Sequence, residues 1–159
     1  MADVLTWQKY GVSTDTVATD HARHLVNTVD LSSATWNTAA THEVFTVDGL
    51  VRVRMWIECT ETVVGAGSIQ FGHETASNGF IASTTGTDLA TNDIWYDTSP
   101  ATVLDTYTNA VMDYVINGND IGYEITGAAL TDGTLAFHCV WDALNATGSV
   151  ALGSGGVLA

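Results

Sequence analysis

The chain has 159 residues, of which 46% are hydrophobic and 14% are charged, a composition that predicts one folded domain with a buried core. Its formal net charge is -14, from four Lys or Arg against 18 Asp or Glu, which excludes nucleic-acid binding because such a surface repels phosphates. No apolar run approaches the roughly 18 residues of a membrane helix, and the N-terminal sequence lacks the pattern of a secretory signal. We therefore expect no membrane partner and synthesis in the cytoplasm.

Residues 1–19 are polar, rich in Thr and Asp, and include Trp7, Lys9 and Tyr10. This composition predicts an extended N-terminal arm that docks on another surface. The β domain is expected to follow over residues 20–150.

A β-hairpin is predicted around the dipeptide Asp48-Gly49, because apolar-rich runs flank it on both sides. HEVFTV precedes the dipeptide and LVRVRMWIECTETV follows it. In the second run every other residue is apolar, which is typical of a strand with one buried and one exposed face. The predicted buried face carries Val51, Val53, Met55, Ile57 and Cys59, and the predicted exposed face carries Arg52, Arg54, Trp56, Glu58 and Thr60.

Further strands are predicted from SIQFGHE, NGFIAS, NDIWYD, NAVMDYVI, IGYEIT and LAFHCVWDAL. The dipeptides Asn117-Gly118 and Asp132-Gly133 separate the last three runs and favour hairpin turns. The Gly-rich residues 151–159 are expected to form a flexible tail. No segment has convincing helical periodicity. Short strands with frequent turn signals predict an all-β fold, an antiparallel β-sandwich or jelly roll with an extended N-terminal arm.

The two cysteines, Cys59 and Cys139, lie far apart in the sequence, each on the apolar side of an alternating run. This placement predicts buried free thiols, as is usual in a reducing cytoplasm. A disulfide between them would require adjacent strands.

The residue types that carry catalysis or bind metals form no recognisable pattern. Asp20, His21 and His24 place two histidines three residues apart, as a helical metal site would, but a third ligand at a recognisable spacing is missing. A solvated polar stretch explains them better. The other histidines are scattered, and no nucleophile elbow, phosphate loop or dinucleotide fingerprint occurs. We expect a protein that is not an enzyme and needs no metal or cofactor.

Large aromatic residues at polar positions suggest contacts with partners. Trp56 falls on the exposed face of its predicted strand, and Trp95 and Tyr96 are adjacent, so one of them faces outward if both lie on a strand. Exposed aromatic residues are typical of contact surfaces. A second sheet or a loop that covers them explains the pattern equally well.

The strand and turn sequences between residues 42 and 150 resemble those of small virion proteins of tailed bacteriophages, of the capsid decoration (cement) type. The resemblance lies in FTVDGLVRVRMWIE, then GFIASTTGTDLATNDIW, then GTLAFHCVWDALNATGSV. It implies an all-β protein, commonly a homotrimer, that is made in the host cytoplasm and binds the major capsid protein on the capsid exterior. On this hypothesis the capsid contacts are Trp7, Lys9, Tyr10 and Arg23, and the subunit contacts are Trp56, Trp95 and Tyr96.

The alternative to a decoration protein is a binding module. A phage tail-fibre or baseplate domain, or a carbohydrate-binding β-sandwich, would fit the same strand pattern. In that case Trp95 and Tyr96 would form a platform on which a sugar ring stacks.

Overall fold

The computed structural model describes residues 23–96, 100 and 113–158, and these confirm the all-β class. Ten strands form two antiparallel sheets, and helix among the described residues is limited to one 3-10 turn at Gly86–Asp88. The strands are β1 (Arg23–Asp30), β2 (Thr41–Asp48), β3 (Leu50–Gly65), β4 (Ser68–His73), β5 (Ala76–Thr85), β6 (Ile94–Trp95), β7 (Asp113–Asn117), β8 (Ile121–Thr126), β9 (Leu130–Ala143) and β10 (Ser149–Leu152).

The first sheet has the order β1-β9-β3, and both β6 and β7 pair with the remaining edge of β3. The second sheet has the order β10-β2-β8-β4-β5. The long strands β3 and β9 form the centre of the first sheet, where they pair from Val51 opposite Ala143 to Gly65 opposite Leu130.

The core lies between the two sheets and is built from the apolar faces of their strands. Phe137 of the first sheet packs between two rings of the second sheet, with ring centroids 5.3 Å from both Phe71 and Tyr123. The alternation predicted for β3 is confirmed, since Val51, Val53, Met55, Ile57 and Cys59 are all buried. Burial of this apolar surface is the main force that holds the sandwich together.

Two of the predicted hairpins are wrong, because their strands belong to different sheets. Asp48-Gly49 leads from β2 in the second sheet to β3 in the first, and Asn117-Gly118 leads from β7 in the first to β8 in the second. Gly49 and Gly118 have φ values of 59° and 66°, which explains why glycine occupies each turn. Among the described residues, β4 and β5 are the only consecutive strands that pair with each other.

The turn predicted at Asp132-Gly133 is also wrong, because both residues lie inside β9. The pairing of β9 with β3 shifts register here, which marks a β-bulge. Gly133 has a φ of 114°, and a Cβ atom built on it would lie 2.7 Å from the Cα of Val63. Glycine at this position therefore permits a β-bulge within the strand, and the chain does not reverse direction here.

The C-terminal residues differ from the flexible tail that the sequence predicts from residue 151. Ala151 and Leu152 belong to β10 and pair with β2. Beyond the strand, the amide of Gly153 donates to the carbonyl of Val44 at 2.7 Å, and Val157 forms a bridge with His42. These hydrogen bonds attach the Gly-rich segment to the edge of the second sheet.

Both cysteines are buried free thiols, as predicted. Burial raises the pKa of Cys59 to about 11 and that of Cys139 to about 12. They lie on neighbouring strands but not opposite each other, since Met55 faces Cys139 and Leu135 faces Cys59.

Candidate contact surface on the outer face of the first sheet

The outer face of the first sheet combines apolar, aromatic and charged side chains in one patch. Because directly opposite residues in antiparallel strands share a face, the pairing registers place these side chains side by side. Val26 and Val115 are large apolar residues of this face that are 39% and 64% exposed. The contact face, as we name it, comprises His24, Val26, Arg52, Arg54, Trp56, Glu58, Asp113, Val115, His138, Val140 and Asp142.

Two ion pairs cross the strands at one end of the contact face. The Arg54 Nε atom lies 2.8 Å from Asp113 Oδ1, and the Arg52 guanidinium donates to the Asp142 carboxylate. This carboxylate raises the pKa of Arg52. The two pairs line a shallow depression together with Val140. Each arginine is thus held in place and locally neutralised, while its side chain stays partly exposed.

Three rings from three different strands pack together at the centre of the contact face. Trp56 of β3 and His138 of β9 are stacked, with centroids 4.9 Å apart and planes 8° from parallel. His24 of β1 lies next to both, and its Nε2 atom is 3.1 Å from Nδ1 of His138. We call these three residues the ring cluster.

Glu58 lies beside the ring cluster, on the side of His138 away from His24. Its Oε2 atom is 3.5 Å from Nε2 of His138, close enough for electrostatic attraction, but Nε2 makes no hydrogen bond in this arrangement. Burial and the neighbouring His24 lower the pKa of His138, and Glu58 opposes this shift only in part. His138 is therefore held as a neutral ring near neutral pH.

Positive charge is divided unequally between the two sheets. Arg23, Arg52 and Arg54 all lie on strands of the first sheet, and they are three of the four Lys or Arg residues in the chain. The strands of the second sheet carry acids and no Lys or Arg. The contact face sets Arg52 and Arg54 against Glu58, Asp113 and Asp142, so its positive charges offset most of its negative ones.

Of the three predicted subunit contacts, Trp56 lies on the contact face and Trp95 does not. Trp95 is fully buried, because it pairs with Ile57, whose side chain points into the core. Opposite residues share a face, so Trp95 points inward too and offers no surface to another subunit or to a sugar. Tyr96 is half-buried. Its predicted role in contacts stays a prediction.

Arg23 is the predicted capsid contact that falls within the described residues. It is exposed, and its guanidinium carbon lies 4.6 Å from the centroid of the Trp141 ring, a cation–π contact at the end of the sandwich. Its role in capsid binding stays a prediction. Trp7, Lys9 and Tyr10, together with Asp20 and His21, lie outside the described residues.

The sequence interpretation missed the pairing of His24 with His138. The two residues are 114 positions apart, and only the register of β1 on β9 brings them together. Within the described residues no group of three or more His, Cys, Asp or Glu side chains is arranged to hold a metal ion. No helix in that part of the chain is long and apolar enough to cross a bilayer.

Comparisons of the chain with protein-family models, with curated proteins and with solved structures found no match.

Proposed function

We propose that this protein is a structural component of a tailed-phage particle, a capsid decoration protein that binds the major capsid protein and its own copies through exposed sheet surface. The observation that carries the proposal is the contact face, which combines exposed valines, a stacked tryptophan and ion-paired arginines. Interface cores are enriched in aromatic and arginine side chains and depleted in unpaired charge.

The connectivity of the strands supports the jelly-roll form of the sandwich. With β6 and β7 counted as one interrupted strand and β10 as an addition, the sheets have the orders 1-9-3-7 and 2-8-4-5. A jelly roll has two four-stranded sheets between which the chain passes back and forth in this way. Viral capsid domains and lectins both use this architecture, so the fold is compatible with a particle protein without specifying one.

The contact face also supports self-association. Its exposed apolar side chains lie on a protein whose remaining surface is strongly acidic, and the acidic regions of separate copies repel each other. Copies would therefore associate where positive charges offset most of the negative ones, as Arg52 and Arg54 do on the contact face. We propose a homotrimer, in which each subunit adds weak contacts that together hold the protein on a repeating lattice.

The alternative of a carbohydrate-binding module loses its proposed platform, because Trp95 belongs to the core. A fibre or baseplate domain that uses the contact face stays open as a second virion role. The number of copies per particle separates the two roles, since decoration requires hundreds of copies and a tail component only a few.

The decisive measurement is the ratio of this protein to the major capsid protein in purified particles, by quantitative mass spectrometry. A fixed ratio that corresponds to hundreds of copies supports decoration. A handful of copies assigns the protein to the tail, and complete absence overturns both virion roles. Light scattering of the isolated protein should give three times the chain mass of 16.8 kDa.

Two matched variants test whether the contact face is the surface used. Val115→Asp places a charge at an exposed position of the contact face, and Ala82→Asp places one at an exposed position on β5 of the second sheet. We expect Val115→Asp to reduce both the oligomer fraction and the occupancy on particles, with Ala82→Asp unchanged. Equal occupancy of the two variants would show that another surface makes the contacts.

A further inference from the structure

Two ring nitrogens face each other across neighbouring strands of the contact face. Nε2 of His24 on β1 and Nδ1 of His138 on β9 are 3.1 Å apart. We propose that they form a binding site for a late first-row transition-metal ion such as Cu²⁺ or Zn²⁺. This property does not depend on the virion role proposed above and is measured on the isolated protein.

The separation of the two nitrogens suits a shared ion. Imidazole nitrogens bind these metals at about 2.0–2.1 Å, so two of them lie about 2.8 Å apart at a right angle and about 3.3 Å apart at a tetrahedral angle. The observed 3.1 Å lies between these values. His24 is exposed and is free to adjust by rotation of its side chain, so the backbone of the two strands need not move.

His138 is held in the orientation that such a site needs. Its ring stacks on Trp56, and its side chain is only 15% exposed. The Glu58 carboxylate, 3.5 Å from Nε2 of His138, favours the tautomer with its proton on Nε2. The lone pair of Nδ1 then points towards His24. Metal-binding histidines commonly donate their second ring N–H to a carboxylate, and a small movement of the partly exposed Glu58 side chain would bring it within hydrogen-bond distance of Nε2.

The protons balance without a net change of charge on the protein. His138 keeps its proton on Nε2, and His24 moves its proton from Nε2 to Nδ1, so both facing nitrogens present lone pairs to the ion. Since the described residues supply no third ligand, water completes the coordination sphere.

The test is a titration of the full chain with Cu²⁺ by calorimetry near neutral pH, with Mg²⁺ as the hard-ion control. We expect one Cu²⁺ per chain and no binding of Mg²⁺. Because loss of an outer-sphere partner alone weakens metal sites about 10–100-fold, Glu58→Gln should weaken binding about tenfold. His24→Gln and His138→Gln should each weaken it more. His73→Gln, on β4 of the second sheet, should leave the affinity unchanged.

Two further results would overturn the proposal. Unchanged Cu²⁺ affinity in His138→Gln or in His24→Gln would show that the cross-strand pair is not the ligand set. Loss of binding in His21→Gln with retention in His138→Gln would assign the ion to the DHARH sequence instead. Thermal unfolding of each variant checks that it is folded. If His138→Gln does not fold, the result for His24→Gln decides the test, because His24 is exposed.

Discussion

The two sheets share one core but present different outer faces to solvent. The outer face of the first sheet carries Arg52, Arg54 and the ring cluster, with side chains that project from regular strands. The outer face of the second sheet is partly covered by the protein itself, and a Cβ atom on Gly122 would lie 2.6 Å from Cδ1 of Leu158. The same alternation of residues therefore gives one outer face of uncovered strands and one that its own chain partly covers.

The largest effect should come from removal of Trp95, the more deeply buried of the two core tryptophans of the first sheet. Trp95→Ala leaves a cavity where a fully buried ring was, and we expect a loss of about 3–5 kcal/mol in the free energy of unfolding. Trp56→Ala removes a ring from the contact face, and we expect a loss of about 1 kcal/mol from ring stacking. Urea unfolding of both variants measures the difference. Similar losses would contradict the division into a stabilising inner face and an available outer face.

A smaller effect should follow from crowding the second sheet. A Cβ atom on Gly72 would lie 2.1 Å from the carbonyl oxygen of Ala76, so Gly72→Ala forces backbone to move. We expect a loss of about 1–3 kcal/mol in unfolding free energy. Gly156→Ala is the matched control, because its nearest neighbouring atom is 3.6 Å away. A thermal midpoint of Gly72→Ala that equals that of the control would show that this face is open.

The ion pairs of the contact face should contribute little to folding. For Arg54 and Asp113 we expect a coupling energy of about 0.2–1 kcal/mol, because both side chains are about half exposed and well solvated. A double-mutant cycle with Arg54→Gln and Asp113→Asn measures this coupling, which should shrink at high salt. A salt-independent coupling well above this range would mean that the pair is shielded from solvent.

The smallest effect should be a pH dependence from His138, measured with a chelator present. The folded protein lowers the pKa of His138 below its ordinary value of 6.5, so the unfolded chain binds more protons in this range. Stability is therefore fully present above about pH 6.5 and falls as pH drops through that value towards the lowered pKa. Thermal midpoints of the wild type should fall more steeply than those of His138→Gln. Equal slopes of thermal midpoint against pH for the wild type and His138→Gln would show that His138 is not the source of the pH dependence.

The sequence alone determined the class of fold, the faces of the long strands and the state of the cysteines. Apolar residues recur at every second position of β3. This alternation assigns each side chain to one face, since successive residues of a strand point in opposite directions. The same argument placed Trp56 outward and Cys59 inward, and the structure agrees.

Only the tertiary structure decided which strands are neighbours. A dipeptide such as Asp48-Gly49 specifies a positive φ and a sharp turn, but it does not specify whether the next strand bonds to the previous one or crosses to the other sheet. The direction of Trp95 depended on its pairing with Ile57, and the ring cluster depended on β1, β3 and β9 lying side by side. These are contacts between distant segments, which burial of the shared core selects and local sequence does not encode.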